Sequence, residues 1–463
     1  MNLATSRSVD DPPTDINVPL HLTAMQIAIL EKVRRRMLPI LMLCYFAAFL
    51  DRINVGIASL NMNVDLHLTN AQFGFGAGMF FVGYVIFEVP SNLLLARFGA
   101  RRWIPRILVT WGIVSACMAL AWDNGSFYAL RVLLGIAEAG FFPGMLFYLT
   151  LWFPRSYRAR VFSLLSVAVP LASVVGSPMS AWILHHFQDV AGLRSWQWMF
   201  IIEGAPAVIM GIVFYCFLPS RPEDAKFLDA NEREFLVDLM HAERRAQQLT
   251  DSRSGGEYSF ARLASDKRIW AMCLIELCLI VGSNGPAIWM PQFINAFNHH
   301  MTMIEVGLVA ALPSLAACIA ILFSGWNADR TGKRVAHVAV PFLIAAAGFV
   351  LAACSSSDLV RLIGLVIGSA GIAASIPNVW YIPSALLSGT AGAAGLALIN
   401  SVGSVGGFFG PYAIGAIRDR TGSFDISLLF LAAVVALAAV VVTVLGYRMR
   451  FILKSPDKVR HGH

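Results

Sequence analysis

The chain has 463 residues, of which 57% are hydrophobic and only 14% are charged, with a formal net charge of +7. So few charged residues cannot cover a soluble protein of this length, which predicts an all-α polytopic membrane protein. Nucleic-acid binding is excluded as the reason for the positive charge, because the lysines and arginines cluster in short loops without interleaved aromatic residues.

Apolar runs close to the roughly 20 residues that cross a bilayer recur twelve times. They cover residues 37–60, 73–96, 103–122, 127–153, 161–184 and 198–218, then 269–293, 306–326, 338–354, 359–387, 392–417 and 426–447. The predicted organisation is a tail (1–36), a six-helix domain (37–218), a polar linker (219–268), a second six-helix domain (269–450) and a tail (451–463). Within the linker, residues 231–248 have a helical pattern.

The distribution of basic residues predicts the orientation of the spans. Three arginines at positions 34–36 precede the first span, and more follow the second, fourth and last spans. Since basic loops face the cytoplasm, both tails are predicted to be cytoplasmic in a multi-pass inner-membrane protein. Arg418 and Arg420, after the eleventh span, are the exception.

A weak repeat links the two halves at the loop after their second spans. In the second half this loop contains Asp329, Arg330 and Gly332, and in the first half Arg97 and Gly99, with Ala96 where the acid would be. Glycine allows a tight turn and the basic residues anchor the helix ends, so we predict gating loops here.

Ionisable residues lie in the middle of two spans, where each is expensive unless it faces a cavity or a partner. Asp51 and Arg52 are in the first span, and Arg131 and Glu138 lie seven residues apart on one face of the fourth. The acids can be neutralised by protonation, whereas arginine keeps its charge and binds carboxylates in bidentate fashion. The alternative is that the four residues only form buried ion pairs that fix helix packing.

Four stretches carry a resemblance to a known family. They are FLDRIN at 49–54, GYVIFEVPSN at 83–92, RVLLGIAEAGFFP at 131–143 and ALINSVG at 397–403, continuing to GGFFGP at 406–411. Together with six plus six spans, they resemble the anion:cation symporter family of the major facilitator superfamily, which includes tartrate, phthalate, 4-hydroxyphenylacetate and sugar-acid permeases. The resemblance implies that Asp51 and Glu138 exchange the coupling proton, that Arg52 binds the substrate anion, and that Arg131 partners an acid or the substrate.

The same resemblance implies that further residues complete the substrate pocket: Tyr84, Trp380, Tyr381, Asn400 and Ser401. The flanking Pro377 and Pro383 predict a bent tenth helix at Trp380. Asn284 stands where relatives often have tyrosine, and we place it in the pocket. Glu203 and Glu276 are expected to have packing or snorkelling roles.

The predicted function is secondary active transport that imports a small organic acid anion with protons by alternating access, in a fold of two six-helix domains. The substrate would be tartrate-like, a sugar acid or an aromatic carboxylate. We predict a monomer with no catalytic residues, metal site or cofactor other than the coupling proton. The alternatives are a proton-driven exporter or antiporter of amphipathic compounds, and a transporter-like sensor of organic acids.

Overall fold

The computed structural model describes residues 23–253, 265–386 and 389–448, and in these ranges the chain forms helices and no β-strand. We number the α-helices as follows: α1 (Ala24–Asp65), α2 (Asn70–Phe98), α3 (Ala100–Cys117), α4 (Asn124–Glu138), α5 (Phe141–Trp152), α6 (Arg155–Ser166), α7 (Ala168–His186), α8 (Ser195–Phe217), α9 (Ala230–Arg253), α10 (Lys267–Phe297), α11 (Met303–Thr331), α12 (Ala336–Cys354), α13 (Asp358–Val379), α14 (Tyr381–Leu386), α15 (Gly389–Thr421) and α16 (Asp425–Arg448). Short 3-10 turns cover Met118–Leu120 and Pro222–Asp224.

Each predicted span corresponds to one or two of these helices, with ends that differ by a few residues. Eleven segments of the described chain are long and apolar enough to cross a membrane. The remaining predicted span lies in α15, which is 33 residues long but diluted by glycine and polar residues. The predicted all-α membrane fold with about twelve spans is confirmed.

Three spans consist of two helices joined at a break. The fourth span is α4 and α5, which meet at Ala139 and Gly140, and the fifth is α6 and α7, which meet at Val167. The tenth is α13 and α14, with a turn at Trp380 between them. The bend predicted there is therefore present.

The first helix begins earlier than the sequence predicted. Residues 24–36 were assigned to the N-terminal tail, but α1 begins at Ala24, after a capping box formed by Thr23 and Gln26. The reason is that Leu30, Val33 and Met37 share one helix face and are fully buried. Residues 1–22 of the predicted tail, and all of residues 451–463, lie outside the described residues. In the linker, the predicted helix is present as α9.

The two halves contact each other through α2 with α15, α7 with α11, and α1 with α10. We call the end of the bundle where α1 begins and α16 ends the terminal end, and the opposite end the far end. At the far end glycines bring backbones together: a Cβ added at Gly74 would lie 2.4 Å from the Pro411 carbonyl oxygen, and one at Gly415 would lie 2.2 Å from that of Asn70. The far end is therefore closed.

Candidate functional site

The predicted cation Arg52 and the predicted acid Glu138 form an ion pair between α1 and α4. The Arg52 Nε atom donates to Glu138 Oε1 at 2.7 Å, and an Nη2 atom contacts the same oxygen. The Glu138 side chain is 1% exposed, whereas that of Arg52 is 30% exposed. The Arg52 guanidinium also lies over the rings of Phe49, at 5.0 Å, and Tyr84, at 5.8 Å. The partly exposed Arg52 is thus held by a buried acid. Tyr84, which was predicted to complete the pocket, lies beside Arg52.

Glu138 is the last residue of α4, directly before the break in the fourth span. Gly140, which begins the turn into α5, has a φ of 85°. A Cβ there would lie 2.4 Å from the Ser91 hydroxyl oxygen of α2. Both the backbone conformation and the close contact require glycine. The break therefore fixes where the carboxyl group of Glu138 lies relative to α1.

Asp51 lies one residue before Arg52 but has different surroundings. It is buried and accepts hydrogen bonds from Trp111 Nε1 at 2.5 Å, from Asn54 Nδ2 at 2.9 Å and from the Ser115 hydroxyl. These neutral donors can satisfy an ionised carboxylate without a cation. The sequence analysis missed Trp111 and Ser115. Their spacing of four residues on one face of an apolar helix was the available signal.

The guanidinium of Arg131 contacts helix α2. It is buried, donates from Nη2 to the Ala77 carbonyl oxygen of α2 at 3.0 Å, and lies 5.2 Å from the centre of the Phe80 ring. No hydrogen bond joins it to Asp51 or Glu138 in the described chain. The structure therefore gives Arg131 a contact with the α2 backbone, and leaves Arg52 as the more exposed of the two arginines.

A cavity of about 230 Å³ lies between the halves, lined by α1, α7, α10, α11 and α13. Its wall is largely apolar with scattered hydroxyls, among them Ser173, Ser283, Ser314 and Ser369, and it includes Ile53, the neighbour of Arg52. No charged side chain is among its described lining residues. A larger groove of about 680 Å³ between α3 and α8 also lacks charged lining residues, and it contains the exposed Ile113 and Trp122.

Comparison with known proteins assigns the chain to a family. The model of the Major Facilitator Superfamily matches residues 41–411, and a second match covers residues 272–461. The chain belongs to the major facilitator superfamily.

Relatives within the superfamily are transporters. A protein of Agrobacterium vitis named as a tartrate transporter is 46% identical over 91% of this chain and 92% of its own length. The metabolite transport protein NicT of Pseudomonas putida is 40% identical over 91% of this chain and 95% of its own. A quinolone resistance transporter of Acinetobacter baumannii is 34% identical over 90% and 95%, respectively. The chain is therefore a major facilitator superfamily transporter and a multi-pass inner-membrane protein, and the prediction that it is not an enzyme is confirmed.

A solved structure has the same fold. The inward-facing, occupied structure of a bacterial homologue of the human lysosomal transporter Spinster aligns with a TM-score of 0.73, covering 91% of this chain and 99% of that one. At 17% sequence identity, this likeness shows the fold alone.

The family resemblance predicted that residues of the second half also line the substrate pocket. In the structure these residues lie in several different places. Asn284 donates to the Ile280 carbonyl oxygen at 3.3 Å, while its neighbour Ser283 lines the cavity. Asn400 and Ser401 are half-buried on α15, and neither side chain has a hydrogen bond to another residue of the described chain. Trp380 is half-buried at the turn between α13 and α14.

Tyr381 lies at the second gating loop rather than beside Arg52. Its ring is 4.5 Å from the guanidinium of Arg334, which donates to Asp329 at 2.5 Å and to Asn378 at 3.1 Å. The sequence analysis missed this role of Arg334. Tyr381 thus belongs to the terminal end of the second half.

The two predicted gating loops both turn at a glycine with a positive φ angle, but they differ in charge and in the ψ angle, which is 154° at Gly99 and 5° at Gly332. Gly332 and Gly99 both have positive φ angles, 66° and 81°, as expected for helix-terminating glycines. Arg330 lies over the Trp326 ring at 5.6 Å, and Arg97 over the Phe98 ring at 5.7 Å. Only the second loop has an acid, Asp329, paired with an arginine.

Proposed function

We propose that this transporter imports a small organic acid anion together with protons. The observation that carries the proposal is the ion pair between the partly exposed Arg52 and the buried Glu138. A substrate carboxylate and the Glu138 carboxylate compete for the same guanidinium. Protonation of Glu138 removes this competitor, so proton binding and anion binding favour each other.

The state of the molecule fits release to the cytoplasm. The far end is closed by helix contacts, and the terminal end is the one that positive-inside topology predicts to be cytoplasmic. With the far end closed, Arg52 pairs with Glu138, as expected after the anion and the proton have left. Rocking of the halves would then expose Arg52 and Glu138 to the other side.

The cavity suggests what the rest of the substrate looks like. Its serine hydroxyls can hydrogen-bond hydroxyl groups, and its apolar wall suits a carbon chain or ring. A carboxylate at Arg52 with a hydroxylated or aromatic body in the cavity fits the tartrate, sugar-acid and aromatic-acid classes. The name of the tartrate transporter supports the hydroxylated-acid part of this range.

Proton-driven export is the second candidate, because one relative is named as a quinolone resistance transporter. In that cycle the incoming proton would displace an outgoing compound rather than accompany it. The direction of proton movement on adding substrate distinguishes the two candidates.

The test uses the full chain in liposomes with an inward proton gradient and labelled tartrate, gluconate and 4-hydroxybenzoate as probes. We expect gradient-driven accumulation of at least one probe by the wild type. Glu138→Gln removes the titratable group but keeps its shape, so accumulation should fall to the level of protein-free liposomes while exchange of labelled for unlabelled probe continues.

The matched control is Glu203→Gln, which neutralises another fully buried glutamate, one that accepts a hydrogen bond from Ser180 at 2.5 Å and has no salt bridge to an arginine. It should keep accumulation. Accumulation by Glu138→Gln at the wild-type level would refute coupling through this pair. Proton release from the lumen on substrate addition would instead favour export.

A further inference from the structure

Glu276 on α10 is a buried acid that the proposed cycle does not use. It is 3% exposed, and its Oε2 atom is buried without a hydrogen-bond partner. No ion pair joins it to another residue of the described chain. It is also the only charged residue of α10 beyond Lys267 and Arg268. Of the two roles expected from the sequence, burial at this level contradicts snorkelling and is compatible with packing.

The space for Glu276 is created by a glycine on α15. A Cβ at Gly403 would lie 2.3 Å from the Glu276 Cγ atom, so any larger residue would collide with the side chain. One turn further on, a Cβ at Gly406 would lie 2.6 Å from the Leu277 carbonyl oxygen. Asn400, three residues before Gly403, lies on the same face of α15 and has an unpaired side-chain amide. The carboxyl group therefore occupies a close-fitting niche between two helices of the second half.

Among the described residues, no cation has a salt bridge or hydrogen bond to Glu276. On α1, Asp51 is held by Trp111 and Ser115, and Arg52 by Glu138. The titratable neighbour on α10 itself is Cys273, three residues earlier. The charged residues of the other helices in contact with α10 lie near the helix ends: Glu305, Asp329 and Arg330 on α11, Asp358 and Arg361 on α13, Arg418, Asp419 and Arg420 on α15, and Asp425 and Arg448 on α16.

An ionised carboxylate in such a place has neither water nor a counter-charge to stabilise it, which makes it very unfavourable. The neutral acid carries no charge and has only one O–H donor that needs an acceptor. We propose that Glu276 is a second proton-binding site, in the half of the transporter opposite to Asp51 and Glu138. It holds a proton in this conformation and releases it when movement of α15 against α2 admits water to the niche. The proton comes from and returns to the aqueous phase, so no other reactant is needed.

The effect of Glu276 on proton coupling rests on the proposed function, but the proton-binding site itself does not. If the transporter is a proton symporter, Glu276 adds one proton to those carried with each anion, so the cycle moves one more positive charge. The binding site itself is testable without any substrate.

The first measurement is an infrared difference titration of the purified full chain across neutral and alkaline pH. We expect the wild type to show loss of a protonated-carboxyl stretching band on alkalinisation, and Glu276→Gln to lack that band. Glu203→Gln removes the other buried glutamate that has no salt bridge, and it should keep the part of the band that Glu276→Gln loses. Identical wild-type and Glu276→Gln spectra would overturn the proposal, because they would mean that Glu276 does not titrate.

The second measurement is the number of protons per anion, from the membrane potential at which net flux of a transported probe reverses at a fixed pH difference. Glu276→Gln should lower this number by one, and an unchanged number would refute a role in coupling. If no probe is transported by the wild type, the proposed import function fails while the infrared result still decides the proton site.

Discussion

Asp51 and Glu138 are both buried acids, but only Glu138 depends on a cation. Glu138 pairs with Arg52, whereas Asp51 is held by the indole of Trp111, the amide of Asn54 and the hydroxyl of Ser115. A substrate anion that takes Arg52 therefore changes the surroundings of Glu138 directly and those of Asp51 only weakly. We expect substrate coupling to act through Glu138, and Trp111 and Ser115 to keep Asp51 in place.

Removing one of these donors should destabilise the protein. Trp111→Phe keeps the ring but leaves the buried Asp51 short of a hydrogen bond, which should lower the free energy of unfolding by about 2 kcal/mol. The melting temperature in detergent would measure this. Trp196→Phe removes the matching indole donor to the exposed Asp65, where water can replace it, and should have a smaller effect. Equal losses in both variants would show that Asp51 does not need this donor.

At the scale of helices, the break between α4 and α5 is the element that positions the site. A continuous fourth helix would carry Glu138 in its middle, with its carboxyl group directed by helical geometry alone. Instead α4 ends at Glu138, and Gly140 turns the chain against Ser91 of α2. Because Gly140 has a left-handed conformation, the backbone requires glycine at this position of the motif.

Gly140→Ala should therefore be costly. The positive φ alone disfavours alanine by about 1–2 kcal/mol, and the collision with Ser91 adds to it. We expect a lower melting temperature and weaker gradient-driven uptake, because the carboxyl group of Glu138 would move. Gly125→Ala, in the same span but within α4, has its nearest neighbour 3.6 Å away; it is the control and should change little. Wild-type stability in Gly140→Ala would mean that the break tolerates a side chain.

At the scale of the whole molecule, an aspartate of one half caps a helix of the other. Asp419, near the end of α15, accepts hydrogen bonds from the backbone N–H groups of Asn70, at 3.1 Å, and Ala71, at 2.7 Å, and from Asn70 Nδ2 at 2.7 Å. A carboxylate at the first turn of a helix is favourable. Since these bonds cross between the halves at the far end, they exist only while that end is closed.

Asp419→Ala should thus favour opening of the far end by about 1 kcal/mol, which is the typical contribution of a helix cap. Spin labels at the exposed Gln188 and Ser356, in far-end loops of the two halves, would report a larger share of long distances. Asp123→Ala removes the cap of α4, where the Asp123 carboxylate accepts a hydrogen bond from the Ser126 backbone N–H at 2.7 Å. This cap lies within one half, so its loss should leave the distances unchanged. An unaltered distribution in Asp419→Ala would show that the cap does not hold the far end closed.

Part of the site could be predicted because membrane depth makes charges informative. Asp51, Arg52 and Glu138 stood out as charges in apolar spans, and the structure joins Arg52 to Glu138. Arg131 stood out for the same reason, but its contact is the Ala77 carbonyl oxygen, which no side-chain pattern encodes. Tyr381 was predicted for the pocket from the family resemblance, yet in the structure its ring lies against Arg334.

The sequence by itself determined the membrane class, the number of spans, the gating-loop turns and the presence of ionisable residues that need partners, because hydropathy and helix length act locally along the chain. Tertiary structure alone decided which charges pair, where α4 breaks relative to α1, and that Glu276 has no salt bridge within the described part of the chain. These properties depend on which faces of distant helices meet. Close packing at glycines sets which faces meet. Gly74 packs against Pro411 and Gly403 against Glu276, and each pair is more than a hundred residues apart in the sequence.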